Sequence, residues 1–162
     1  MGLQSQVGVY YSGAVAGDRA SQNPVVYRPK NPLAQGVVTV GNFVFQGTDP
    51  ANQVSASGSV VAGFVERIII NYNYTITSAG TLSIPDKTPV TVALKGDFYV
   101  AYNQSATPTL GQKAFASTTD GSIVFANAGA TVSGHVETGF AVREVRSADG
   151  LVMISNYSPA LA

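Results

Sequence analysis

Between residues 68 and 77 the apolar side chains fall on every second position. Ile68, Ile70, Tyr72, Tyr74 and Ile76 share one face of an extended chain, while Asn71, Asn73, Thr75 and Thr77 share the other. Side chains alternate across a strand but not across a helix, so the pattern specifies a half-buried strand of an antiparallel sheet. The same period returns in Val90, Val92 and Leu94 and in Phe98, Val100 and Tyr102, with the turn signal Lys95-Gly96-Asp97 between them. No longer window carries an i, i+3, i+4, i+7 apolar stripe, so no amphipathic helix is expected.

The remaining segments extend this reading. Residues 37–46 are apolar on both faces, which suits a strand buried between two layers or against a neighbouring subunit. Residues 113–118 and 122–126 flank Thr119-Asp120-Gly121, and residues 135–146 and 151–156 flank Ser147-Ala148-Asp149-Gly150. Asp-Gly supplies the positive φ that a tight hairpin needs. Roughly eight to ten short strands joined by glycine turns predict an all-β fold, an antiparallel β-sandwich or barrel of jelly-roll-like kind. Two polar, proline-bearing stretches, residues 47–58 and 103–111, read as surface loops.

Residues 1–35 have a different character. They are rich in Gln, Asn, Ser, Gly and Pro, and Pro24, Pro29 and Pro32 push the chain toward extended geometry. The expected organisation is an extended N-terminal arm over residues 1–35 and one β-domain over residues 36–162. An extended arm cannot satisfy its own backbone groups, so it needs a surface to lie on.

Charge narrows the possible partners. Charged residues make up 11% of the chain, with nine basic against nine acidic, where an ordinary domain has about 25%. Uncharged polar groups are cheaper to bury than charges, which favours protein–protein contact. No Lys/Arg cluster offers a field for nucleic acid, so none is expected as a partner. No apolar run approaches the roughly 18 residues of a membrane span, and no secretory signal pattern opens the chain. The chain has no cysteine, which rules out disulfides, thiolate metal sites and a Cys nucleophile.

Catalytic chemistry finds little support. The single histidine, in His135-Val136-Glu137, shares a strand face with Glu137 and reads as part of a polar strand surface. No serine stands in a Gly-x-Ser-x-Gly elbow, and no phosphate-binding glycine motif is present. Asp18, Asp49, Asp86, Asp97, Asp120 and Asp149 all lie beside Gly, Pro or Lys in turn-like contexts. Neither an enzymatic activity, a metal nor another cofactor is expected. Tyr72, Tyr74, Phe98, Tyr99 and Tyr102 offer a sugar-binding face as one reading, but Trp is absent and core and cross-strand packing explains them better.

A set of short motifs in a fixed order carries a resemblance. It begins with Met1-Gly2-Leu3-Gln4 and Ala14-Val15-Ala16-Gly17-Asp18-Arg19-Ala20-Ser21-Gln22-Asn23-Pro24. It continues through Gly41-Asn42-Phe43, Gly63-Phe64-Val65, Gly96-Asp97-Phe98-Tyr99-Val100 and Gly111-Gln112-Lys113-Ala114-Phe115-Ala116. Asp120-Gly121-Ser122-Ile123 and Glu137-Thr138-Gly139-Phe140 complete it. Over nearly its whole length the chain resembles the structural cement proteins that decorate tailed-bacteriophage capsids.

That resemblance implies a non-enzymatic virion protein on the outer capsid surface. It would bridge neighbouring major capsid subunits and hold the shell against the pressure of packaged genome. The implied partners are the major capsid protein and further copies of the chain itself, as a dimer or trimer. Within the arm, Asp18, Arg19, Asn23, Arg28 and Lys30 are the expected capsid-contact residues, since Arg favours bidentate interface contacts and Asn pairs with exposed backbone groups. The alternative is a carbohydrate- or receptor-binding β-module of a phage tail or surface fibre.

Overall fold

The computed structural model describes residues 14–68, 75–76, 82–146 and 148–157. The chain runs through β1 (Val26–Tyr27), β2 (Leu33–Gln35), β3 (Val38–Thr39), β4 (Phe43–Gln46) and β5 (Gln53–Ser55). Next come β6 (Val61–Val65), β7 (Thr75–Ile76), β8 (Leu82–Ile84), β9 (Val92–Lys95) and β10 (Asp97–Ala101). It ends with β11 (Lys113–Ser117), β12 (Ile123–Ala126), β13 (His135–Arg146) and β14 (Leu151–Ser155). No helix is present among the described residues.

These strands form a six-stranded sheet ordered β1-β9-β6-β4-β5-β2, a five-stranded sheet ordered β10-β14-β13-β11-β12 and a three-stranded sheet ordered β3-β8-β7. Every pairing is antiparallel except that of β2 with β5. None of the sheets closes on itself, so the fold is a sandwich rather than a barrel. Short strands that change sheet explain why there are more elements than alternation alone suggests.

The six-stranded sheet lies between two apolar clusters, and its side chains show how. Along β4, Phe43 and Phe45 join one cluster while Val44 joins the other. Ala93 and Val92 of β9 divide in the same way, as do Phe64 and Val65 of β6. The first cluster is completed by Phe98, Phe125, Phe140, Val142, Val152 and Ile154 of the five-stranded sheet. The second gathers Val38, Val40, Val54, Ile84 and Val90. The two-sided apolarity of residues 37–46 therefore reflects burial between layers, but the stretch is broken into two strands at Gly41-Asn42.

Aromatic rings hold the first cluster together. Phe64 stacks on Phe98 at 4.6 Å, and Phe43 meets Phe64 and Phe140 edge-on at 5.5 and 5.4 Å. Burying each such ring contributes about 1.5–3 kcal/mol, with edge and offset geometries adding to it.

Both expected hairpins form. β11 pairs with β12 and β13 with β14. Gly121, in the first turn, has φ +71° and lies so close to β4 that a Cβ there would stand 1.9 Å from the Phe43 carbonyl oxygen. Only glycine fits, and the Phe43 amide bonds the Gly121 carbonyl at 3.0 Å. The Lys95-Gly96-Asp97 signal has a different outcome: β9 and β10 belong to different sheets, and Gly96 is where the chain steps between them. Val90 and Val92 are buried as alternation predicts, yet Leu94 is exposed: β9 is buried on both faces at Val92 and Ala93 and open on both at Leu94 and Lys95. Of the predicted strand over residues 68–77, Thr75–Ile76 is β7, paired with β8; residues 69–74 lie outside the described residues.

Candidate interaction surface

From Ala14 to Gln35 the chain runs as short extended pieces broken by a turn at 16–17 and bends at 21–23 and 29–30, and it lies on the chain's own body. Residues 17–20 add an antiparallel ladder to the outer edge of β10. Gly17 N donates to Tyr99 O at 2.8 Å, Tyr99 N to Asp18 O at 2.9 Å, and Ala20 N to Asp97 O at 2.9 Å. β1 then covers β9, and β2 covers β5. On its other side β2 and its neighbours meet the segment before β9, through Ala34 N to Thr88 O at 2.9 Å and Val90 N to Pro32 O at 2.8 Å. An exposed strand edge invites pairing with another chain, and this segment occupies three such edges. The far edge of the five-stranded sheet is covered too: Asn103 N reaches Ile123 O at 2.7 Å, and the Gln104 side chain accepts Phe125 N at 2.6 Å.

Glycine makes the crossing possible. Gly17 has φ +96°, and a Cβ there would meet Arg67 Cβ and Val40 Cγ1 at 3.0 Å. Arg67 N bonds Gly17 O at 2.8 Å, fixing the crossing to the end of β6.

Carboxylates supply the side-chain anchors. Asp97 is 2% exposed, and its Oδ2 accepts Ser21 Oγ and Asn23 Nδ2, both at 2.6 Å. Its Oδ1 is buried without a hydrogen-bond partner among the described residues. Asp97 is thus a strand residue and an anchor, not the turn residue its Gly neighbour suggested. Glu66, 6% exposed, receives Arg19 at Oε1 (3.2 and 3.3 Å) and the Tyr27 hydroxyl at Oε2 (2.5 Å). Arg19 also donates to Tyr27 Oη at 2.9 Å. Burial, then the bond to Glu66, pushes the Tyr27 phenol up to about 12. Burial works against the charge on Arg19, but Glu66 and Tyr27 hold its guanidinium above the ordinary range. Asp18 closes the set with Arg67 at 3.1 Å and accepts Val15 N at 3.0 Å.

The five expected contact residues therefore separate. Asp18, Arg19 and Asn23 bind the chain's own body. Arg28 donates to Pro50 O at 2.8 Å and, with Lys30, Pro29 and Ala51, lines a groove of about 220 Å³. Lys30 is exposed. What sequence reasoning missed is apolar: Val15, Val26, Leu33 and Val37 are 40–62% exposed, four of the seven large exposed hydrophobic residues among those described. Their apolar neighbours, such as Val25 and Tyr27 beside Val26 and Pro32 and Ala34 beside Leu33, gave no sign of which side chain would meet solvent.

Other candidates resolve into structure. His135 Nδ1 lies 2.8 Å from Ser133 O, and Glu137 accepts Gly129 N at 2.8 Å. Among the described residues no three metal-ligating side chains gather. Asp49 bonds Asn52 and Ala51, and Asp120 bonds Ser122, so both shape turns. The three described members of the aromatic set do not form a platform: Phe98 is in the core, Tyr102 packs against it, and Tyr99 lies under Arg146. Tyr72 and Tyr74 lie outside the described residues. A second crevice, of about 230 Å³, opens between the two large sheets beside Leu94, Thr138, Phe140 and Asn156.

The geometry defines an all-β scaffold whose N-terminal segment pairs with the edges of β10, β9 and β5 and leaves Val15, Val26 and Leu33 exposed. The model of the XM1 gp53 minor capsid protein family matches residues 4–156, and the chain belongs to that family. A chain in a solved structure of "The capsid of Myoviridae Phage XM1" shares the fold at a TM-score of 0.62 and 18% identity, over 96% of this chain and 98% of that one. No curated protein matches the chain in sequence. The chain is thus a phage capsid structural protein, in keeping with the decoration-protein resemblance of its motifs.

Proposed function

We propose that this chain is a non-enzymatic capsid cement protein that sits on the outer surface of the phage shell. It bridges neighbouring major capsid subunits and stabilises the shell against internal genome pressure. Family membership supports a place in the capsid. The observation that carries the contact role is the exposure of large apolar side chains in the arm, Val15, Val26 and Leu33, and of Val37 just after it. A charge-poor protein that leaves such side chains outward has a surface fitted to another protein. Arg28 and Lys30, between Val26 and Leu33 in the chain, are the expected polar rim, whereas Asp18, Arg19 and Asn23 act by holding the arm in place. Many copies on one shell add avidity, so each contact need only be modest.

Binding of purified protein to shells lacking it tests this reading. Val26→Asp and Leu33→Asp should lower shell occupancy while leaving the circular-dichroism spectrum and melting temperature unchanged. Full occupancy by both variants would remove the arm from the contact surface.

A further inference from the structure

The arm is not held uniformly along its length. From Ala14 to Arg28 only Gly17 is buried. This stretch is attached by main-chain bonds to the edges of β10 and β9, by the Asp97, Glu66 and Arg67 anchors, and by the half-buried Val25 and Tyr27, which rest on the rim of the first cluster. From Pro32 onward the attachment is different: Pro32 and Ala34 are buried, Ala34 in the second apolar cluster, and β2 is bonded on both sides. Between them lie Pro29, Lys30 and Asn31, all exposed.

We propose that residues 14–28 form a detachable clasp that a second copy of this chain can supply, so that copies join by exchanging clasps about the hinge at residues 29–31. The receiving edges recognise an extended backbone with a Ser and an Asn for Asp97, an Arg and a Tyr for Glu66, and an Asp for Arg67. A second copy carries that set in full, and the bonds formed are the same whichever copy provides them. The clasp also keeps its own turns when it leaves, since Val15 N bonds Asp18 Oδ2 and Asn23 N bonds Ser21 Oγ. A segment with few buried side chains and exposed hydrogen bonds opens well before the core does. An opened clasp leaves two strand edges free, and a matching strand is the partner such edges take most readily.

The chain has no cysteine, which makes a cross-link test free of background. Val26 and Lys95 are paired across β1 and β9, and both are exposed. Val26→Cys and Lys95→Cys variants are mixed under mild oxidation, with Val26→Cys plus Leu110→Cys as the collision control. Exchange predicts several-fold more covalent heterodimer in the first mixture than in the control, rising with protein concentration, and a sedimentation mass above one chain for the unmodified protein. Heterodimer at the control level overturns the proposal. So does a one-chain mass throughout, and so does a multi-chain mass without the cross-link, which assigns association to another surface. The proposal deepens the cement reading by naming the partner of the arm. Because it is measured on purified protein, its failure is separate from a failure of shell binding.

Discussion

The clasp touches the aromatic cluster at Val25 and Tyr27, yet the two regions are held mainly by different forces. In the cluster, Phe43, Phe64, Phe98 and Phe140 are sealed between two sheets, and the stabilisation scales with the area removed from water. In the clasp only Gly17 is fully buried, and attachment depends on main-chain bonds, three carboxylates and the half-buried Val25 and Tyr27 side chains against the cluster. One region is made to persist. The other is made with bonds that a different chain can also satisfy, which is what a protein that joins others requires.

The comparison predicts a graded response to substitution. Phe64→Ala should cost about 3–5 kcal/mol and lower the global melting temperature, since the ring stacks on Phe98 and meets Phe43. A smaller loss would mean that the sheets close over the cavity. Asp97→Ala should cost about 1–3 kcal/mol, chiefly as faster hydrogen exchange at Gly17 and Ala20, with core amides unchanged. Asp97→Asn, which keeps an acceptor for Ser21 and Asn23 and removes a buried charge, should be milder. Equal slowing or quickening of core and clasp amides would show that the two regions open together.

The sequence made the cluster far more legible than the clasp. Alternation at Phe98 and Val100 and the Asp-Gly turn at Asp120-Gly121 are local signals, so β10 to β14 followed from them. Leu94 was misplaced because burial changes along β9, from both faces at Val92 and Ala93 to neither at Leu94 and Lys95, and period-two reasoning assumes one wet face throughout. The extended geometry of residues 14–35 could be read from Pro24, Pro29 and Pro32. Its destination could not, because pairing with β10 depends on a partner some 80 residues away in sequence, as in the bridge of Arg19 with Phe98. The anchor role of Asp97 was hidden for the same reason: beside a glycine, a turn Asp and a strand Asp look alike.

Two weaker effects sharpen the comparison further. The Tyr27 phenol is held at about 12, above its ordinary value of 10.0. The folded protein therefore keeps this proton more tightly than the unfolded chain, so the contribution is whole below pH 10 and is lost as pH rises toward 12. Tyr27→Phe should flatten that part of the stability–pH curve, and an identical slope in both proteins would remove Tyr27 from the anchor. Arg19→Ala, at a side chain 45% exposed, should cost no more than about 1 kcal/mol in thermal unfolding. A loss as large as that of Phe64→Ala would place the Arg19–Glu66 pair in the core's cooperative unit.

The central claim is that this capsid protein works from outside the shell, with its arm against the subunits it joins. Cryo-electron microscopy of purified virions tests it most directly. The account predicts density for this fold on the outer capsid surface, spanning adjacent major capsid subunits, with Val26, Leu33 and Val37 at the contact. Density on the inner surface, or an outer position with those side chains facing solvent, would contradict it.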